Sequence, residues 1–219
     1  MTQTPFARVL ALRVGRARPS LPHRGRMMHT GFLKDPLDGR TALGPLGFDG
    51  DEQGDLRIHG GVDKAVCCYP SEHFPHWRET INPEIDSGAF GENLTLAGLT
   101  EADVFVGDTY TLGDAVVQVS QPRGPCVKVA ARWRSRTLVR LMGEELRAGW
   151  YLRVLEPGGV AVGDTMELVS RVSEVSVAEV LRVTYRDRHD VEAMRVVRDV
   201  PELAEQWRGA LDSLLARVA

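Results

Sequence analysis

The segment Gln121-Pro122-Arg123-Gly124-Pro125-Cys126-Val127-Lys128 carries the sharpest chemical signal in the sequence. It follows a run that reads as a strand and precedes a predicted helix from Val127 to about Arg134. Two prolines stiffen the turn, and Pro125 suits a first helical turn. Cys126 then falls at or near the helix N-terminus. Open N–H groups and the helix dipole lower a thiol's pKa there, and Arg123 and Lys128 add positive charge. Such a setting favours a thiolate, the form that acts as a nucleophile or a soft-metal ligand. The competing reading is a small buried side chain filling a gap, a common fate of a free cysteine.

A second signal is Asp55-Leu56-Arg57-Ile58-His59-Gly60-Gly61-Val62-Asp63-Lys64. Paired glycines admit a close ligand, and Arg57, His59 and Lys64 could together hold a phosphate or another anion. On an extended segment Arg57 and His59 face the same side. A plain Gly-Gly turn with solvated flanking charges explains the same residues. Cys67 and Cys68 are adjacent on a predicted strand, so they point to opposite faces and read as packing residues whose loss leaves activity in place. His73 and His76 are three apart on a predicted helix. That spacing permits a metal site, but amphipathic helix surfaces produce such pairs often. Within Gly88-Ala89-Phe90-Gly91-Glu92-Asn93-Leu94, the side chains of Glu92 and Asn93 are expected to bond the loop's own backbone.

The elements that must position these residues are mostly short. Strands are predicted at Phe6–Gly15, Met27–Phe32, Thr41–Leu43, Lys64–Tyr69, Val116–Ser120, Trp150–Leu155 and Met166–Val169. A basic loop is expected at Arg16–Arg26 and a long one at Gly44–Gly61, and a helix capped by Ser71 runs to about Thr80. Many short strands without βαβ alternation predict a β-rich α+β domain, an antiparallel barrel with inserted helices. After about Ser173 the texture changes: glycine occurs once (Gly209) and proline once (Pro201). Three helices are predicted there: Val177 to about Tyr185 capped by Ser176, Val191–Val197, and one opened by Pro201 that reaches about Val218. Leu203, Trp207, Leu211, Leu214 and Leu215 make an amphipathic stripe on the last of them, so it must pack on the first domain or on another subunit.

Composition narrows the function classes. The 219 residues carry a net charge of −3, which gives no electrostatic case for a whole-chain nucleic-acid binder. No apolar run approaches the roughly 20 residues of a membrane helix, and the first residues lack a signal-peptide pattern, so a cytoplasmic location is expected. Three cysteines argue against a disulfide framework. Basic residues are 24 Arg against three Lys (Lys34, Lys64 and Lys128), so each lysine stands where Arg would have been the default.

Taken in order, several segments resemble the MOSC-domain family, named for the C-terminal domain of molybdenum cofactor sulfurases. They are His59-Gly60-Gly61-Val62-Asp63-Lys64-Ala65-Val66, Phe90-Gly91-Glu92-Asn93-Leu94, Val106-Gly107-Asp108, Gln121–Cys126, and Gly149–Val154 followed by Gly163-Asp164. The helical tail is similar to the three-helix appendage of the stand-alone YiiM-like branch. The resemblance implies a MOSC-type β-barrel over residues 1–172 and a small three-helix domain over 173–219. It also implies a site for the molybdenum cofactor (molybdopterin), with Cys126 as the protein thiolate ligand and catalytic residue. Lys64, Arg57 and Arg123 are expected to contact the phosphate or pterin, and His59, Asn93 and Lys128 are weaker candidates. The implied reaction is reduction of small N-hydroxylated compounds, hydroxylaminopurine-type bases among them, to amines. No flavin or nicotinamide fingerprint and no iron–sulfur cysteine set is present, so a separate electron-donor reductase is the expected partner. A homodimer is compatible with the apolar stripe. The alternative is a cofactor carrier or sulfur-handling module that uses Cys126 without turning over a substrate.

Overall fold

The computed structural model describes residues 6–218. Its strands are β1 (Phe6–Val14), β2 (Arg18–His23), β3 (Arg26–Thr30), β4 (Asp35–Pro36), β5 (Thr41–Gly44), β6 (Gly47–Phe48) and β7 (Val66–Pro70). They continue with β8 (Leu94–Ala97), β9 (Thr109–Leu112), β10 (Ala115–Pro122), β11 (Trp150–Glu156), β12 (Gly158–Val160) and β13 (Thr165–Ser170). Helices α1 (Leu56–His59), α2 (Phe74–Thr80), α3 (Val127–Trp133) and α4 (Leu138–Glu144) are inserted between strands. The tail holds α5 (Val177–Leu181) with a π-helical turn at Arg182–Arg186, then α6 (Val191–Arg198) and α7 (Glu205–Val218).

Alternating apolar residues build the barrel. In β10, Ala115, Val117 and Val119 are buried while Val116 and Gln118 between them are less so, the period-two pattern of a sheet with one face on the core. The strands pair in the order β13-β9-β10-β11-β7-β8-β1, and β13 pairs back onto β1, which closes seven strands into a barrel. Every pairing in it is antiparallel except β7 with β8. The predicted antiparallel barrel is therefore mixed at one seam.

Several local expectations need correction: the long loop expected at Gly44–Gly61 holds β6 and α1, because Asp55 caps a helical turn there. The basic stretch read as a loop contains β2, paired with β3 through Arg24-Gly25, both at positive φ as a tight two-residue hairpin requires. Pro19 and Pro22 lie within β2, which a two-stranded ribbon allows because its outer edge leaves room for residues without an N–H. Ser71 does not cap the following helix: a 3-10 turn at Ser71–His73 leads into it. Pro201 lies in turns ahead of α7, which starts at Glu205.

The tail packs on the barrel of its own chain. Val106 N donates to Val175 O at 2.9 Å, Val177 N to Val104 O at 2.8 Å and Ala204 N to Ser120 O at 2.9 Å. Leu203, Trp207 and Leu211 are buried, and Leu214 and Leu215 pack partly against the same core, so the stripe is covered within the chain. Among the described residues no helix is long and apolar enough to cross a membrane.

Candidate functional site

Gly124 and Cys126 come two and four residues after the end of β10 at Pro122, and Tyr151 is the second residue of β11. Cys67 at the start of β7 is the cross-strand partner of Tyr151. Asn93, just before β8, completes this end of the barrel: its N–H donates to Cys67 O at 2.8 Å and its Oδ1 accepts from Cys67 N at 3.1 Å. These residues open into a cavity continuous with solvent. Its other walls are Thr30–Phe32 and Lys34, Asp51–Gly54, His59 and Lys64, Phe90-Gly91, Arg123 and Lys128. The 51–54 wall can lie so close because of two glycines. A Cβ on Gly31 would stand 2.0 Å from Glu52 O, and one on Gly54 would stand 2.1 Å from His29 O.

The cavity is cationic, and its cations differ in what already holds them. Lys34 is ion-paired with Asp51, both nearly buried. Lys64 Nζ donates to Ile58 O and to Gln206 Oε1 of α7, tying the glycine loop to the tail. Burial pulls the pKa of Lys64 down, and likewise that of Lys128. Arg123 is 4% exposed. Its Nη2 donates to Phe90 O at 2.5 Å, but its Nη1 is buried with no partner among the described residues. A guanidinium is always charged, so a buried arm left open is costly unless an anion meets it. His59 faces the same cations. Burial first, then Lys128, Lys64 and Arg123, lower its pKa to about 4, so its imidazole is neutral at pH 7.

Cys126 is the N-cap of α3, with extended backbone, and is partly exposed at the cavity. Pro125 precedes that cap and does not enter the first turn. The two neighbouring cysteines do diverge as strand geometry requires, but only Cys68 belongs to the apolar core. Cys67 lines the cavity, and burial pushes its thiol up to about 11, so it stays a protonated thiol at neutral pH.

Of the residues proposed from sequence, Cys126, His59, Lys64, Asn93, Arg123 and Lys128 all line this cavity. Asn93 does so with its amide already used, since Nδ2 donates to Arg13 O at 3.1 Å, which makes it a strap between strands. Glu92 is likewise internal, accepting from Gly88 N at 2.6 Å and Phe90 N at 3.0 Å. Arg57 does not join the group. Residues 56–59 form a helical turn capped by Asp55, not an extended segment, so Arg57 and His59 diverge. The Arg57 side chain is 88% exposed and pairs with Asp55. His73 and His76 form no metal site: His73 Nε2 lies 2.7 Å from Glu101 Oε2, and His76 sits beside Glu145. Among the described residues no three of His, Cys, Asp and Glu gather as metal ligands.

Sequence reasoning missed Lys34, the Asp51–Gly54 wall, Tyr151 and the cavity-facing role of Cys67. A signal for Lys34 was present: all three lysines of an Arg-dominated chain line this one cavity. On its tail side the cavity adjoins a second chamber that shares His59, Lys64, Gly124, Cys126 and Tyr151 with it.

Comparison with known proteins agrees with this architecture. Residues 55–167 match the MOSC domain, and residues 175–217 match the YiiM-like 3-alpha helix domain. The uncharacterized protein YflK of Bacillus subtilis is 42% identical over 203 residues, which cover 92% of this chain and 91% of YflK. A protein of Gibberella moniliformis named a reductase is 36% identical over 167 residues, 74% of this chain but 29% of that longer protein. The crystal structure of YiiM from Geobacillus stearothermophilus superposes with a TM-score of 0.80 at 35% identity, covering 95% of this chain and 99% of that one. The barrel, the ordered motifs around Cys126 and the helical tail therefore have one common explanation: the chain belongs to the MOSC-domain family, in the branch that carries the YiiM-like three-helix appendage.

Proposed function

We propose that this protein is a molybdenum-cofactor-dependent oxidoreductase that reduces N-hydroxylated compounds, hydroxylamines and hydroxylaminopurine-type bases, to amines, with electrons from a separate donor protein. The observation that carries this reading is Arg123: a buried guanidinium with one arm unpartnered, in the same cavity as the Cys126 thiol. An anion and a soft metal are the two groups such a pair accommodates. Cys126 is the one partly exposed thiol at the site, and no cluster of three ligating side chains surrounds it among the described residues. A metal held there would bring its remaining ligands with it, as a metal bound to a pterin does.

In this reading Cys126 is the protein's ligand to the metal. Arg123 Nη1, with Lys128 and Lys64, balances the charge of the phosphorylated pterin. Asn93 positions the strands and makes no contact of its own. The bound group supplies the two-electron reducing capacity for N–O cleavage. The reaction takes R–NH–OH with two electrons and two protons to R–NH2 and water: the N–O bond breaks, an N–H bond forms and the oxygen leaves as water. Neutral His59 stands in the wall common to both chambers, where it can accept or donate a hydrogen bond without adding to the positive charge. A carrier or sulfur-handling protein would need only the first cavity. The second chamber shares Cys126 with the first and gives a substrate room beside the thiol, which favours turnover. The relative named a reductase supports the same class.

The test is Cys126→Ser, produced in a host that makes the cofactor. Metal analysis, pterin fluorescence and hydroxylamine reduction with an artificial electron donor should show loss of molybdenum and of turnover, with the fold retained. Full loading and full turnover in the variant would exclude Cys126 as the ligand. A loaded wild-type protein without turnover would point to the carrier role.

A further inference from the structure

We propose that the β2–β3 hairpin and helix α3 form one cationic face beside the site, and that this face docks an acidic electron-carrier protein. This rests on the reading of the protein as a reductase, and it names the seat of the donor and the charge the donor carries.

The first observation is how unevenly charge is distributed. Residues 13–34 hold six Arg and Lys, residues 123–140 hold six more, and neither segment contains an Asp or Glu. The other residues carry the remaining 15 of 27 cations against all 30 acids, so a chain of net charge −3 is a patch of +12 on a body of −15. The fold brings the two segments together: α3 packs against β2, and Arg18 and Arg132 line one surface groove with Arg13 and Lys34. The carboxylates of that groove are Asp35, Glu84 and Asp86, of which Asp35 faces Arg18 at 3.9 Å and Asp86 is paired with Arg78. Arg24, Arg26, Arg134 and Arg136 are exposed, and no hydrogen bond or ion pair engages their side chains among the described residues. Exposed Arg132 lies only over the Trp133 ring, at 5.1 Å. Like charges gathered without counter-charges repel one another, a cost that a docked anionic surface removes.

The second observation is where the face lies. β3 ends at Thr30, which lines the cavity with Gly31, Phe32 and Lys34, and α3 starts directly after Cys126 with Lys128 in the same wall. Both cationic segments thus run from the exposed face to the cavity wall. A short path matters, because electron transfer falls off steeply with distance. The carrier gives up the two electrons that N–O cleavage consumes, and the two protons come from water. Met27 of the hairpin is 54% exposed and Val127 of α3 is 45% exposed, so the face offers apolar contact amid arginine, as protein interfaces do. A nucleic acid fits less well. The aromatic side chains of the two segments, Phe32 and Trp133, are not exposed, and Trp133 Nε1 donates to Ala89 O at 2.9 Å, which leaves no ring for bases to stack on. A long polyanion would also run off the patch onto the acidic body, and a compact acidic protein need not.

The test takes a flavodoxin, an acidic flavin-carrying protein, as the probe. Calorimetry on the full chain, cofactor-free and cofactor-loaded, should show binding at low salt that added salt weakens. The double variant Arg26→Glu, Arg136→Glu reverses two exposed charges outside the cavity and should weaken binding about tenfold or more. The double variant Arg26→Lys, Arg136→Lys keeps the charge and should bind as wild type does. Arg195→Glu, at an exposed position of α6 outside both segments, should change nothing. In loaded protein the double Glu variant should raise KM for reduced flavodoxin and leave kcat with saturating dithionite unchanged. Flavodoxin that fails to bind wild type, or binds the double Glu variant equally well, overturns the docking face; so does an oligonucleotide that binds where flavodoxin does not. Charge-dependent flavodoxin binding by a protein that reduces no hydroxylamine with any donor supports the face and refutes the activity instead.

Discussion

Replacing Arg123 by Met separates a binding role from a structural one. Methionine keeps an unbranched apolar stem and removes the charge. The structure predicts opposite effects on the empty and the filled protein. In the empty protein the variant loses the bond from Nη2 to Phe90 O but no longer buries a cation with an open Nη1. The lost bond, about 1 to 3 kcal/mol, and the relieved desolvation oppose each other, so the melting temperature should move little. In the filled protein the variant forfeits a charge-assisted bond worth about 1.5–3 kcal/mol, or about 10- to 100-fold in affinity.

Thermal melting with inorganic phosphate as the minimal anion reads this difference, with chloride added to hold ionic strength constant. At a ligand concentration of about 100 times Kd the wild type gains about 2.7 kcal/mol. For a chain of this size that corresponds to about 5–11 °C in Tm. A variant bound 100-fold more weakly would gain only about 0.4 kcal/mol at the same concentration, or about 1 °C. Equal phosphate-dependent shifts in the two proteins, or no shift in the wild type, would refute Arg123 as the anion contact.

Two other perturbations follow from the same geometry. His59 holds its proton less tightly folded (pKa about 4) than unfolded (6.5), so between these values the unfolded chain binds more protons and stability rises with pH. His59→Gln should flatten the stability profile in that window, measured by urea unfolding at several pH values; an unchanged slope would show that another group titrates there. A chain ending near Ser173 loses the bonds from Val177 N to Val104 O and from Ala204 N to Ser120 O, and it uncovers barrel side chains under the tail. Each side chain exposed costs about 1.5–3 kcal/mol, so the truncated chain should melt lower and aggregate; a soluble chain with unchanged Tm and light scattering would deny the tail its packing role.

The sequence made the barrel class legible because apolar alternation in strands such as Ala115–Pro122 is a local property. The β7–β8 seam was not legible, since parallel pairing joins Cys68 to Leu94 across 26 residues and leaves no periodic trace. Arg57 shows a different failure. Its spacing from His59 was right for an extended chain, yet Asp55 accepts a hydrogen bond from Arg57 N and starts a helical turn. An Asp two residues ahead of a charged pair was the available warning, since Asp is a preferred N-cap. For Cys67 the alternation rule correctly sent two neighbours to opposite faces. Which face looks onto a cavity depends on strands and loops distant in sequence, among them Asn93, Tyr151 and Asp51–Gly54.

Lysine usage shows how far composition can go toward a site. Lys34, Lys64 and Lys128 lie far apart in the sequence, and nothing local links them, yet they converge on one cavity. Arg123 occupies the same cavity, so the site does not merely exclude arginine. The buried guanidinium is held by a carbonyl on one arm, a geometry that its fixed fork can keep. The lysines sit where burial lowers the pKa of two of them and where the third is neutralised by Asp51. An ammonium can tolerate such places by adjusting its proton affinity, and a guanidinium cannot. Rarity in the sequence and convergence in the fold thus report one physical requirement: positive charge that can be tuned, placed around a thiol and an open guanidinium arm.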